Sequence, residues 1–505
     1  MQNSKKIKYN LILGLSSEIL TITLGIVVPR LVLTNYGSEI NGLLSSVTQI
    51  YKYIALLEAG IGTATVQALY KTLGRKNQEQ TNAVLSATNR YYQRTGILYI
   101  FAIGIFSIVY PLMINTEINK VTIALVIVFN GAGSVINYLF QGKYFLLLQA
   151  EGKNYVKTSL TMFTNVFKNV AKIMLMSFGF DVVFVQAIGM IISIIQMIYV
   201  TWYIKKNYKW IDLTVKPDYE SIAQSKNVLV HQVSGLIFNN TDAIILTWVC
   251  GLKVVSVYSM YTMLFGMIST ALSTFSSSVM FALGQAFHEN RKKFMQMYDS
   301  YELYYMTLVF SLYSVANFFI LPFIKCYTKG VTDIQYIDNK LPLLFIATFL
   351  LSCGRSAANQ VINFAGHFKL TQNRSILESL INIIISIVAV WRFGIYGVLL
   401  GTIAALFYRS NDIVIYAAKN ILKRSVWITY RRWVVNVIVF GFVLFVNRQL
   451  NFELETYGSI ILVCIPYTIC TLAIFFGIAS ITEKDTARFT YELIKAKLKK
   501  KGLTK

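Results

Sequence analysis

Residues 11–32 read LILGLSSEILTITLGIVVPRLV. A run of about 20 apolar residues is what an α-helix needs to cross the roughly 30 Å hydrocarbon core of a bilayer. Lys5, Lys6 and Lys8 stand just before it, as basic residues also do in a secretory signal. A signal's apolar region is shorter, about 7 to 15 residues, and ends in a small-residue cleavage pattern. This run is longer and lacks that pattern, so it reads as a first membrane span. Similar runs recur to the far end of the chain. Of 505 residues, 55% are hydrophobic and only 14% charged, against about 25% charged in an ordinary soluble domain, and the mean hydropathy is +0.55. Water is not the main solvent of this chain, and the fold class expected is an all-α polytopic membrane protein.

Fourteen transmembrane helices are expected, at 9–33, 41–71, 95–113, 121–148, 157–179, 182–204, 227–249, 254–284, 302–324, 341–365, 372–391, 394–418, 430–447 and 457–478. Lys and Arg number 47 against 23 Asp and Glu, a net charge of +24. In a soluble chain this balance would suggest nucleic acid. Here the cations lie between apolar runs and on the tail, as an anionic inner leaflet requires, so no nucleic acid is expected as a partner. With the amino end in the cytosol, most Lys and Arg fall on inside segments, which places both termini there. The Lys- and Asn-rich composition suggests a bacterial cell membrane.

No soluble stretch reaches even the roughly 60 residues of a small domain, and the longest outside loop runs only from about Lys325 to Lys340. Neither a fused ATPase nor a membrane enzyme with a large catalytic loop fits. No P-loop pattern occurs, and the five cysteines lack CxxC spacing or a histidine cluster, so neither nucleotide hydrolysis nor a metal site is indicated. No cofactor is expected beyond H⁺ or Na⁺ as a coupling ion.

An internal repeat appears at an offset of 213 to 215 residues. Gly37 aligns with Gly251, Tyr91–Tyr92 with Tyr304–Tyr305, Ala150 with Ala365 and Gly179 with Gly394. Six spans per copy leave both copies in one orientation, so two six-helix lobes should be related by a pseudo-twofold along the membrane normal, as in transporters built from parallel repeats. The expected organisation is an N-lobe at 1–204, a basic linker at 205–226, a C-lobe at 227–418, two extra helices at 419–478 and a basic tail at 479–505. The tail pattern suits an amphipathic helix on the inner leaflet or a solvated end.

A charge at mid-membrane costs at least about 2.5 to 3.5 kcal/mol, so ionisable groups there face a partner or a wet cavity. The cationic set is Arg30, Lys52, Lys168, Lys172 and Arg355; the acidic set is Glu18, Glu58 and Asp242. Lys168 and Lys172 lie four apart on one helical face and repel each other. Lys168 also lies about 16 Å of helix rise beyond Lys157. Two ammoniums at that depth call for an anion, or for a carboxylate such as Glu58. Arg355, Asn359 and Asn363 form a polar stripe on span 10, where interhelical hydrogen bonding is the plain alternative for the asparagines. Arg30 follows Pro29 and either lines a cavity or reaches the headgroups. His231 and Asp242 share a face of span 7 and could exchange protons or hold Na⁺, or pair structurally with a cavity cation.

The stretch from Pro29-Arg30-Leu31 through Asn35-Tyr36-Gly37-Ser38-Glu39-Ile40-Asn41-Gly42 and Leu57-Glu58-Ala59-Gly60-Ile61-Gly62 to Lys71 resembles the start of the polysaccharide repeat-unit flippases. The resemblance continues at Asn240-Thr241-Asp242, at Val257-Tyr258-Ser259-Met260-Tyr261, and at Gly394-Ile395-Tyr396-Gly397-Val398 with Gly401-Thr402. Their superfamily also holds multidrug (MATE) exporters and lipid II flippases. It implies two lobes around a cavity, alternating access, and transfer of an undecaprenyl-diphosphate-linked oligosaccharide from the inner to the outer leaflet. The implied partners are that lipid, the surrounding membrane and glycan polymerase machinery, with the chain acting as a monomer. On this reading Lys168, Lys172, Arg355, Lys52, Arg30, Asn359 and Asn363 bind substrate, while Asp242, His231, Glu58 and Glu18 couple ions. A cation antiporter of the same superfamily and a membrane glycan polymerase are the alternatives. The first would want carboxylates in its cavity and the second a large outside loop.

Overall fold

The computed structural model describes residues 2–58, 60–223, 226–450 and 452–500, and leaves the side chains of 2–15, 18, 57, 226–231, 368, 494 and 497–500 outside that description. The described chain is helical throughout, with no strand. The α-helices run, in order, α1 Gln2–Ile54, α2 Ile61–Gly74, α3 Gln78–Met113, α4 Lys120–Ile136, α5 Gly142–Ala150, α6 Asn154–Ser177, α7 Val182–Asn207, α8 Lys226–Cys250, α9 Leu252–Glu289, α10 Arg291–Tyr327, α11 Leu341–Gly354, α12 Ser356–Phe364, α13 Phe368–Phe393, α14 Ile395–Tyr416, α15 Trp427–Asn447, α16 Tyr457–Thr482 and α17 Lys484–Lys500. Short polar side chains start several of them. Asn77 accepts from the Gln80 amide, Asp181 from Val183 and Asn290 from Lys293, while Thr456 and Ser459 form a reciprocal capping box, each satisfying amides that a helix start leaves unpaired.

Among the described residues twelve helices are long and apolar enough to cross a membrane. The fourteen expected spans differ from these in two places. The stretch Ile19–Ile54 counts once, although Gly37, with φ 81°, divides α1 into two legs. Helix α6 is 24 residues long, about 36 Å, yet its polar residues keep it out of the twelve. The second expected span, 41–71, is not one helix. It breaks at a short 3-10 turn, Ala55–Glu58, and resumes as α2 after Gly60, whose φ of 83° is left-handed.

The chain divides into two compact units. The first comprises Met1–Ser256 with Gly330–Ile334, the second Val257–Lys329 with Gln335–Lys505. In the first unit Leu43, Val47, Tyr99, Val126 and Ile127 form a core between α1, α3 and α4, while Leu69, Val84, Leu147 and Val200 form another between α2, α3, α5 and α7. Helix α8 packs on α1 in this unit. Asn41 donates to Ser256 at 2.7 Å, and Ser46 and Thr247 share a hydrogen bond of 2.9 Å. The boundary therefore falls after Ser256, one helix beyond the linker. That linker is itself docked on α3: Asn82 donates to the Trp210 carbonyl, Ser86 to those of Leu213 and Val215, and Tyr208 and Ile222 are buried.

Conformation repeats with the sequence. Gly37, Gly152 and Gly179 have φ of 81°, 72° and 75°; Gly251, Gly366 and Gly394, 214 or 215 residues on, have 82°, 68° and 55°. The Tyr99 hydroxyl donates to the Tyr51 carbonyl at 3.4 Å, and Tyr313 does the same to Phe265 at 3.4 Å. The helix break at Gln141–Gly142 has its counterpart at Gly354–Arg355.

The two helices beyond the repeats pack within the second unit. Helices α15, α16 and α17 pack on α10, and a buried ionic cluster joins them. Arg424 binds Asp299 and Glu302, and Arg432 binds Glu302 and, at 2.6 Å, Glu483. Arg431 reaches Glu483 at 3.0 Å, and Tyr298 and Thr429 donate to Glu302 at 3.0 Å.

Candidate functional site

Helix α6 is two-sided. At about 100° per residue, Phe163, Phe167, Val170 and Met174 fall in one exposed apolar stripe, suited to lipid. Thr161, Asn165, Lys168 and Lys172 fall on the opposite arc. Lys172 Nζ donates to Gln186 Oε1 at 2.7 Å, and Lys168 Nζ to Ser193 Oγ at 3.2 Å. Gln186, Gly189 and Ser193 share a face of α7 by their three- and four-residue spacing. Gly189 leaves room for the lysine stems: a Cβ there would lie 3.5 Å from Lys172 Cε and 3.6 Å from Lys168 Cδ. Gln186 and Ser193 are buried, at 4% and 5% exposure. Among the described residues no carboxylate lies within ion-pair distance of either ammonium. The pair is held by neutral oxygens.

The second unit shows what the same helix pair does without cations. At an offset of 214, Lys168 corresponds to Asn382 and Lys172 to Ser386 on α13. Asn382 donates to Thr402 at 2.9 Å and Ser386 to the Val398 carbonyl at 3.3 Å, both on α14. Neutral cross-links suffice to hold two such helices together. The lysines in the first unit are therefore surplus to packing.

Glu58, assigned to ion coupling and named as the alternative partner of the lysines, closes the 3-10 turn and accepts from the Tyr92 hydroxyl. Lys52 is exposed and donates to Gln49 at 3.1 Å, one turn back on its own helix. Arg30 is half-buried beside Pro29. Asp242 is buried, 5% exposed, next to Thr241, which hydrogen-bonds Tyr53 of α1. The side chains of Glu18 and His231 lie outside the described residues.

Arg355 is not a lone cation. It sits at the α11–α12 break, and its Nη1 meets Glu378 Oε1 at 2.6 Å. Glu378 also faces Arg409 at 3.5 Å, Arg409 binds Asp412 at 2.6 Å, and Asp412 binds Arg374. Three guanidiniums share two carboxylates, so part of the Arg355 charge is already answered. Asn363 donates to Gln360 at 3.2 Å, an exposed contact within α12, and Asn359 is half-buried. Glu378, Arg409, Asp412, Gln186 and Ser193 are the polar groups that sequence reasoning missed. The spacings Arg374/Glu378 and Arg409/Asp412, inside spans, are the available signal for the first three.

At the end of α16, burial pushes the Glu483 carboxyl up, but the guanidiniums of Arg432 and Arg431 prevail and hold it down at about 2. Breaking a buried pair of this kind costs about 3 to 5 kcal/mol, because the remaining charge is left uncompensated. This cluster is matched in charge, three Arg to three carboxylates, and is structural in character.

No protein-family model matches the chain, and no curated protein matches it. Solved structures do. The structure of the lipid II flippase MurJ in an inward closed conformation aligns with a TM-score of 0.67 at 15% identity, over 95% of this chain and 99% of its own. An inward-facing multidrug resistance MATE family transporter of the MOP superfamily aligns with a TM-score of 0.62 at 16% identity, over 82% and 98%. A MOP superfamily transporter from Pyrococcus furiosus, described as having a binding pocket of reverse polarity that suggests a different function, aligns with a TM-score of 0.51 at 14% identity, over 83% and 94%. The chain has the fold of these transporters, an all-α polytopic membrane fold.

Proposed function

We propose that the protein is a flippase that moves an undecaprenyl-diphosphate-linked oligosaccharide repeat unit from the inner to the outer leaflet of a bacterial cell membrane, by alternating access and without covalent chemistry. The observation that carries this reading is α6. It is a membrane-length helix with a lipid-suited stripe on one side and, on the other, two ammoniums answered only by a glutamine and a serine. Packing does not require them, since the later repeat cross-links the same helix pair with Asn382 and Ser386. A diphosphate supplies the missing countercharge, and charge-assisted hydrogen bonds to phosphate are among the stronger polar contacts. A cation exporter would place carboxylates on that arc, and among the described residues none stands there.

Both termini face the cytosol in this reading, and the chain works as a monomer that hands its product to glycan polymerase machinery. Asp242 and Glu58 are the groups through which H⁺ or Na⁺ would drive the cycle.

The test replaces Lys168→Asn together with Lys172→Ser, giving α6 the residues that α13 uses. A variant of normal abundance should lose surface glycan and accumulate undecaprenyl-linked repeat units inside the cell, whereas loss of a polymerase would still display single units outside. Wild-type surface glycan from the normally abundant double variant would overturn the proposal.

A further inference from the structure

Between α1 and α6 lies a cavity of about 350 Å³, lined on one side by Ser17, Thr21, Gly25 and Pro29 and on the other by Asn165 and Asn169, with aliphatic walls. Its size is near the lower end of small-molecule sites, about 300 to 1,000 Å³, room for a sugar residue rather than a whole oligosaccharide. Among the described residues no charged side chain lines it. Its polar groups among the described residues include two hydroxyls and two carboxamides, in segments long enough to span a membrane, where unsatisfied polar groups are costly.

Each wall leaves hydrogen-bonding capacity over. Pro29 has no amide hydrogen to give the Gly25 carbonyl, and both residues line the cavity. Thr21 spends its hydroxyl hydrogen on the Ser17 carbonyl at 2.8 Å, leaving its oxygen as an acceptor. Asn169 spends one amide hydrogen on the Asn165 carbonyl at 2.7 Å, leaving Oδ1 and the second hydrogen. The Asn165 carboxamide makes no hydrogen bond among the described residues. The described lining suits a ligand that both donates and accepts hydrogen bonds, as sugar hydroxyls and acetamido groups do.

We infer that this cavity is a sugar subsite, and that Asn165 and Asn169 read the first sugar of the lipid-linked substrate beside the phosphates held by Lys168 and Lys172. The inference rests on the flippase reading, and the register on α6 supports it. Asn165 and Asn169 stand next to the lysines on the same polar arc, about 20° to 100° around the helix from them. Phosphate and sugar are thus addressed by adjacent stripes of one helix, the first by charge and the second by neutral hydrogen bonds.

The experiment measures binding of two probes to the purified full-length protein in detergent: undecaprenyl diphosphate, and undecaprenyl diphosphate carrying one N-acetylhexosamine. Wild type should bind the sugar-bearing lipid at least tenfold more tightly. Asn165→Leu with Asn169→Leu, and separately Thr21→Val, should remove most of that difference while leaving the bare diphosphate lipid bound as before, which also reports an intact fold. Lys168→Ala with Lys172→Ala should weaken both probes. Equal binding of the two lipids by wild type, or a preference for sugar that survives the Asn substitutions, overturns the subsite while the flippase reading stands. Wild type that binds neither lipid overturns both.

Discussion

An ammonium answered by a carboxamide oxygen still lacks a countercharge, whereas one answered by a carboxylate offers little to a ligand. Lys172 is of the first kind, with Gln186 Oε1 at 2.7 Å, and Arg355 of the second, with Glu378 at 2.6 Å. This distinction predicts that Gln186→Glu, which leaves both lysines in place, silences transport as completely as Lys172→Ala. The internal ion pair would cost a diphosphate ligand at least about tenfold in affinity, with thermal stability unchanged or raised; near-normal glycan display by Gln186→Glu would contradict the role given to Lys172. The lysines are legible in the sequence because a charge deep in a span is expensive wherever its partner is. The partner of Arg355 is not, since Glu378 lies 23 residues on in another span and no local spacing rule joins them. Glu483 gives a pH test. Its folded value of about 2 lies below the ordinary 4.5, so its contribution is present above about 4.5 and is lost as pH falls toward about 2. The melting temperature in detergent should drop through that window, and Glu483→Gln, already without the charge, should flatten the decline.

Most helix positions follow from the apolar runs, because a bilayer imposes a minimum length on every crossing; the lengths do not, since α3, α9 and α10 run on to 36, 38 and 37 residues. The exceptions mark places where another constraint won. The run 41–71 does not continue as one helix: it breaks at the 3-10 turn ending in Glu58 and resumes after Gly60, and the pair of glycines at 60 and 62 was the visible hint. Gly42 marks a different constraint. A Cβ there would lie 1.9 Å from the Leu252 carbonyl oxygen, so α1 meets the start of α9 backbone to side-chain-free backbone, the approach that small residues allow between membrane helices. Gly42→Val should therefore force these segments apart and cost about 1 to 3 kcal/mol or more. Gly104→Ala, with nothing within 4 Å of its new methyl, should be neutral or gain up to about 1 kcal/mol of helix propensity. Equal melting temperatures for the two variants would show that the contact does not constrain the packing.

At the scale of the whole chain, the duplication was readable from a few aligned glycines and tyrosines, and it extends to backbone conformation at Gly37 and Gly251 and to the paired Tyr99 and Tyr313 hydrogen bonds. What the repeat could not show is where the copies diverge. Asp299 and Glu302 on α10 correspond, at an offset of 213 to 214, to positions 85, 86, 88 and 89 on α3, which are Leu, Ser, Thr and Asn. The acids occur only in the copy that carries α15 and α16, and it is Arg424 and Arg432 that bring them a countercharge, while Arg431 and Arg432 hold Glu483 at the end of α16. The extra helices and the acids of α10 form one electrostatic unit, although 130 residues separate Glu302 from Arg432. A chain truncated after Leu422 should accordingly be lost from the membrane, because Glu302, 2% exposed, would keep a buried charge without its guanidiniums, at a cost of about 3 to 5 kcal/mol. Adding Asp299→Asn and Glu302→Leu to the same truncation removes that charge and should recover part of the abundance, read by fluorescence-detected size exclusion of a fusion. The truncated chain accumulating to wild-type levels without those substitutions would show that the two helices are dispensable to the second unit and that the cluster is incidental to its folding.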